Sequence, residues 1–229
     1  MNDGVIQMIN YIKYIINNTF NKYNQTPNEL LIEAINRNDI EEARFALVNE
    51  ADVNTKSKSG ATPLLYAIKN NNFSIVELLT HRGADVNMLS ANGVSPIIYA
   101  SQKGRFAIVE KLIVLGANIN NSDYKTGNTA LITAAKHRHL DIIEILVNNG
   151  ANIDAKNKQG FSALNIAISN HFYEVVILLI EKGAKLDEQT TCSSNTNNTS
   201  DRIMTSLLQN WNSNNNLTET TKINYIQYA

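Results

Sequence analysis

The sequence predicts an all-α fold with short β-hairpin turns, a solenoid of about five helix-turn-helix repeats. Three landmarks in phase predict it. A Gly-Ala step, or its equivalent, falls at Glu50-Ala51, Gly83-Ala84, Gly116-Ala117, Gly150-Ala151 and Gly183-Ala184, at intervals of 33, 33, 34 and 33 residues. A small residue keeps the same beat at Ala34, Ala67, Ala100, Ala134 and Ala167. A turn glycine does so at Gly60, Gly93, Gly127 and Gly160. The extra residue of the third interval lies in Asn121-Ser122-Asp123-Tyr124-Lys125-Thr126, a hairpin insertion that leaves the helices in register.

Taken in chain order, residues 1–24 place Val5, Ile6, Met8, Ile9, Ile12, Ile15, Ile16 and Phe20 on one helical face, which reads as an amphipathic helix capping the array. The repeats then occupy 25–189, at about 25–56, 57–89, 90–122, 123–156 and 157–189. The first has no turn glycine and opens on Thr26-Pro27-Asn28-Glu29, a capping-box pattern with proline at the first helical position. In the later ones Thr62-Pro63, Ser95-Pro96, Thr129-Ala130 and Ser162-Ala163 each put a hydroxyl at a helix N-cap. A short alanine-bearing helix follows, then a second helix with larger apolar side chains. These are Ile75, Val76, Leu78 and Leu79, then Ile108, Val109, Leu112 and Ile113, then Ile142, Ile143, Ile145 and Leu146, and finally Val175, Val176, Leu178 and Leu179. Such spacing gives one buried stripe per helix. Glycine then ends the second helix in the left-handed conformation that it adopts at least cost. Residues 190–229 are a polar linker and tail. A short helix at about 200–211, bearing Ile203, Met204, Leu207, Leu208 and Trp211, either covers repeat 5 or docks on a partner; cover is the preferred reading, because terminal units need it.

Thr62-Pro63-Leu64-Leu65-Tyr66-Ala67 resembles the T-P-L-H-x-A signature of ankyrin repeats, and Gly83-Ala84-Asp85-Val86-Asn87 is similar to that family's G-A-D-V-N close. The resemblance covers roughly residues 25 to 189. The family's histidine is replaced by Leu65, Ile98, Ile132 and Asn165, so its usual hydrogen-bond network between repeats is expected to be missing, with packing supplying more of the stability. The resemblance implies an ankyrin-repeat solenoid that recognises protein partners, as scaffolds and inhibitors do. It also implies kinship with factors that intracellular bacteria or viruses direct at host proteins, which suits the AT-rich signature of abundant Asn, Ile, Lys and Tyr.

Net charge is −1, so no global field draws the chain to nucleic acid or an anionic membrane. The N-terminus lacks the basic region of a signal peptide, and no run of apolar residues is long enough to span a bilayer. With a single cysteine, Cys192, no internal disulfide can form, which fits an intracellular protein. His137 and His139, two apart, would point to different faces of a helix and do not make a metal site; they read as exposed or turn residues near the connection between first and second helices. Asp52, Asp85 and Asp154 read as turn-stabilising side chains at one repeat position rather than as catalytic carboxylates. No phosphate-binding loop or nucleophile elbow is present. The expectation is therefore no enzyme, no catalytic residues, no cofactor and no metal.

In proteins of the resembled family, partners bind a concave side built from hairpin tips and the exposed edge of the first helices. Carried over by register, that side includes Lys56, Lys58, Lys69, Leu89, Val94, Lys103, Tyr124, Lys125, Lys136, Lys156, Lys158 and Phe161. Eight of these are lysine and none is acidic; only Asp123 interrupts nearby. The expectation is a face for an acidic protein segment, with Leu89, Val94, Tyr124 and Phe161 as apolar anchors. Nucleic acid is the competing use of the same stripe. Arginine is absent from these positions, however, and only Tyr124 and Phe161 offer stacking.

Overall fold

Each repeat starts where a side chain satisfies the orphan amides of a first helical turn. The computed structural model describes residues 25–185. The expected N-terminal helix, the 190–229 tail with its helix and Cys192, and the last residues of repeat 5 lie outside that range. The chain divides at Lys125/Thr126 into two compact units. The first holds α1 (Pro27–Asn36), α2 (Ile40–Val48), α3 (Pro63–Lys69), α4 (Phe73–His81), α5 (Pro96–Gln102) and α6 (Phe106–Val114). The second holds α7 (Ala130–Lys136), α8 (Leu140–Asn148), α9 (Ala163–Ser169) and α10 (Tyr173–Glu181). Among the described residues these helices are the only regular elements, which makes the protein a helical-repeat solenoid.

Odd-numbered helices begin at the expected hydroxyls. Oγ1 of Thr62 accepts from the Leu65 amide at 3.3 Å, and Ser95, Thr129 and Ser162 do the same for Ile98, Ile132 and Asn165. Such a cap contributes about 1 kcal/mol. Thr26 and Glu29 form the expected capping box. A second box joins Ser162 to Asn165, where the sequence reading saw only a missing histidine. Asp39 and Asn72 cap α2 and α4, whereas α6, α8 and α10 begin at Arg105, His139 and Phe172 without a side-chain cap bond.

In the first unit α1 packs on α2 and α3, α3 on α4 and α5, and α5 on α6; the second helices also touch in order, α2 on α4 and α4 on α6. The second unit repeats the scheme with α7 on α8 and α9, and α10 on α9 and α8. The expected stripes form their cores: Ile75, Val76 and Leu79, then Ile108, Val109 and Leu112, then Ile142, Ile143 and Leu146, then Val175, Val176 and Leu179, each at most 1% exposed. Ile113, Ile145 and Leu178 are a correction, being only half-buried. At about 100° per residue they stand on the flank of the stripe, roughly a quarter-turn from its centre.

Two backbone features repeat. The second helices of the last four repeats end on Gly83, Gly116, Gly150 and Gly183 with positive φ, as expected, and Glu50 holds the same conformation (φ 68°) in the first. Every link between first and second helix also carries a left-handed residue: Asn38, Asn71, Gly104, Arg138 and His171. The hairpins are short turns, closed by hydrogen bonds such as Ser57 N–H to the Ala61 carbonyl and Ser90 N–H to that of Val94.

Candidate partner-binding surface

The hairpin tips are held in place by backbone-directed asparagines. Asn54 donates from Nδ2 to the Gly83 carbonyl at 3.3 Å and accepts at Oδ1 from the Asp85 amide at 2.8 Å. Asn87 does the same one repeat later, reaching the Gly116 carbonyl at 3.3 Å and the Asn118 amide at 2.7 Å. Asn28 accepts from the Asp52 amide, and in the second unit Asp154 accepts from the Lys185 amide at 2.9 Å. This ladder joins the repeats through residues other than the position where the family's histidine is replaced, so packing is not the only tie between them. It corrects the register given to Asp154, which stands at the position of Asn54 and Asn87. The partner of Asp52 and Asp85 in that repeat is Asn152, and all three fold a side-chain oxygen back onto the amide two residues on.

Adjacent tips also touch directly. The Ala91 amide donates to the Gly60 carbonyl at 3.1 Å in the first unit, and the Lys158 amide to the Thr126 carbonyl at 3.0 Å in the second. A Cβ placed on Gly60 would sit 2.3 Å from the Cβ of Ala91. The turn glycine is thus needed for close approach as well as for its φ of 76°.

On this scaffold the first unit places Lys56 and Lys58 on one tip, Leu89 and Val94 on the flanks of the next, Tyr124 and Lys125 in the insertion, and Lys69 and Lys103 at the ends of α3 and α5. The second unit places Lys136 at the end of α7 and Lys156, Lys158 and Phe161 on its tip. All eight lysines are exposed, Tyr124 is 63% exposed, and Leu89, Val94 and Phe161 are half-buried. Asp123 is not an exposed interruption: it is 8% exposed, and its carboxylate accepts from the Lys125 amide at 2.9 Å.

Several basic side chains elsewhere are used differently, although Arg82, Arg105 and Lys185 also form no ion pair among the described residues. Lys111 reaches Glu77 at 3.3 Å; in the second unit Arg138 reaches Glu174 and Lys182 reaches Glu144, both at 2.8 Å. Lys56, Lys58, Lys69, Lys103, Lys125 and Lys136 form no ion pair among the described residues. Thr26 hydrogen bonds, backbone then side chain, with a smaller pull from Lys58, hold the Glu29 carboxyl below its ordinary value.

Between the hairpin tips at residues 57–61 and 90–94 runs a groove of about 380 Å³, lined by Ala61, Leu65 and Val94 and by Tyr66, Tyr99 and Lys69, with Ser59, Ser90, Asn92 and Gln102 also in its lining. Sequence reasoning took the carboxyl end of each first helix and missed Tyr66 and Tyr99, one turn earlier. The signal was available: the two tyrosines are 33 residues apart, each four after the capping hydroxyl. Tyr66 is tied to its own hairpin by Ser57 at 3.2 Å and Ser59 at 3.3 Å, and these bonds lower its pKa.

His137 and His139 are not helical neighbours. They flank the left-handed Arg138 between α7 and α8, which turns both rings the same way, stacked at 6.0 Å. Among the described residues no group of three or more His, Cys, Asp or Glu is placed to hold a metal ion. Among them, too, no helix is long and apolar enough to cross a membrane.

A family model described as "Ankyrin repeats (3 copies)" matches residues 4–90, 30–123 and 97–190, most of the chain. No curated protein matches the sequence significantly.

Proposed function

Since the chain belongs to the ankyrin repeat family, whose repeats are generally protein–protein interaction modules and typically not enzymes, we propose that it binds an acidic protein segment through the lysines of its hairpin tips and first helices. The observation that carries this reading is the contrast in charge use. Lys111, Arg138 and Lys182 spend their charge on acidic neighbours within the fold, whereas Lys56, Lys58, Lys69, Lys103, Lys125 and Lys136 are exposed and unpaired among the described residues. An unpaired exposed lysine contributes little to stability. A cluster of one sign, however, raises the encounter rate with an oppositely charged partner. Leu89, Val94 and Tyr124 in the first unit, and Phe161 in the second, add apolar surface to the unit that carries them.

The test is charge reversal. Lys58→Glu, Lys69→Glu, Lys125→Glu and Lys158→Glu are combined in the full chain and titrated against a fluorescein-labelled peptide of alternating Asp and Glu at low and high salt. The expected result is an affinity loss of about tenfold or more at low salt, with a shallower salt dependence. Unchanged affinity overturns the proposal. A parallel titration with single-stranded and duplex oligonucleotides decides against a protein partner if these bind more tightly than the peptide.

A further inference from the structure

The two tyrosines of the 380 Å³ groove occupy equivalent positions but are not equivalent chemically. The Tyr66 hydroxyl is engaged by Ser57 and Ser59 of its own hairpin. In the next hairpin the residues at those places are Ser90 and Asn92; Ser90 Oγ accepts from the Val94 amide at 3.2 Å, as Ser57 Oγ does from that of Ala61, but neither Ser90 nor Asn92 bonds to Tyr99. Among the described residues the Tyr99 hydroxyl has no hydrogen-bond partner. Its ring is part-buried, and burial raises its pKa, so it stays a protonated donor. The Lys103 ammonium lies 5.6 Å from the Tyr99 ring centroid, and Lys69 lines the same groove. No acidic residue lines it.

The groove therefore has an apolar floor (Ala61, Leu65, Val94 and the tyrosine rings), an unused Tyr99 hydroxyl donor, and two cations near it, Lys69 in the lining and Lys103 over the Tyr99 ring. Ligand pockets start at about 300 Å³, so this one suits a single side chain rather than a folded element. We propose that it is the anchor subsite for an apolar side chain, leucine or phenylalanine, adjacent to an aspartate or glutamate in the bound peptide. The apolar side chain lies on Leu65 and Val94. The neighbouring carboxylate accepts from the Tyr99 hydroxyl and is balanced by Lys69 and Lys103. This rests on the acidic-partner reading and adds a sequence requirement to it: charge alone is not enough, because the floor rewards only a residue that can be desolvated.

Two fluorescein-labelled peptides of equal charge test the requirement on the full chain, Asp-Glu-Asp-Leu-Glu-Asp-Glu and the same peptide with glycine for leucine. The leucine peptide is expected to bind about tenfold or more tightly. Val94→Thr, nearly isosteric, is expected to remove most of that preference. Tyr99→Phe is expected to weaken both peptides several-fold while leaving the preference. In amide-resolved NMR the leucine peptide is expected to shift Val94, Tyr99 and Gln102 more than the glycine peptide does, a readout that needs no variant. Equal binding of the two peptides, with both lost in the lysine-reversed chain, overturns the subsite and leaves the acidic-partner reading standing. Binding of neither peptide overturns both.

Discussion

Gly60 and Gly83 both hold a left-handed backbone, at φ 76° and 86°, yet alanine at each should carry different penalties. At Gly83 an added Cβ meets nothing within 4 Å, so the cost is conformational alone. The left-handed region costs an L-residue about 1–2 kcal/mol, and the stiffer unfolded chain returns about 0.4–1 kcal/mol, leaving about 1 kcal/mol net. At Gly60 the same term applies, and the new Cβ also falls 2.3 Å from the Cβ of Ala91 and 3.2 Å from its amide nitrogen. These are backbone-anchored atoms that cannot swing aside. Overpacking adds about 1–3 kcal/mol, so Gly60→Ala should cost about 2–4 kcal/mol. Adding Ala91→Gly removes the clashing methyl and should recover the overpacking part, a coupling of about 1–3 kcal/mol in a double-mutant cycle. The assay is urea unfolding followed by far-UV circular dichroism, with the m-value compared first, since repeat arrays can lose cooperativity. If Gly60→Ala costs no more than Gly83→Ala, or Ala91→Gly restores nothing, the claim that the tips are in hard contact is wrong.

Glu50, exposed and at φ 68°, should be improved by Glu50→Gly, because relief of the left-handed backbone outweighs the added unfolded-state entropy by about 0.5–1 kcal/mol; a lowered urea midpoint would contradict this. Asn87→Ala removes both bonds to the next repeat and should cost about 1–2 kcal/mol. Asn87→Asp, which can still accept from the Asn118 amide, should cost less, and equal costs in urea unfolding would deny the ladder its acceptor half. The Glu29 carboxyl has a folded pKa below its ordinary value, so its cap is fully effective above the ordinary carboxylate range and is lost as pH falls through the lowered folded value. The acid-side fall in thermal midpoint should accordingly be shallower in Glu29→Gln than in the native chain.

The helical frame was legible in the sequence because its determinants are local. A hydroxyl at Thr62 or Ser95 followed by proline fixes a helix start within one turn, and Gly83 or Gly116 fixes the end. What escaped depends on contacts one repeat away. Asn54 and Asn87 look like turn residues in any short window, and their partners, the Gly83 and Gly116 carbonyls, lie 29 residues on. Arg138 and His171 carry left-handed backbones that their residue types do not announce, whereas Gly104 at the equivalent link does. That hidden turn lets His137 and His139 stack, where helical spacing would point them to different faces. Asp154 was misplaced because its repeat carries Asn152 at the place of Asp52 and Asp85 and aspartate at the place of Asn54 and Asn87, two residues later, so residue type alone points to the wrong position. At the candidate surface the exposed lysines were legible as a charge pattern. The groove was not: the 33-residue spacing of Tyr66 and Tyr99 marks them as equivalent, but that they line one groove follows from packing.

The asparagine ladder grips the neighbouring repeat by a carbonyl and an amide, groups that almost every residue type carries. A joint of that kind does not read what it joins. A unit can be duplicated, deleted or exchanged for another of the same length and still meet the same socket, provided its own turn is intact. The outward-facing side chains, which take no part in the joint, can then change freely from copy to copy. Such a chain can acquire a new partner by rewriting its surface one repeat at a time, with no matching change required in the joints.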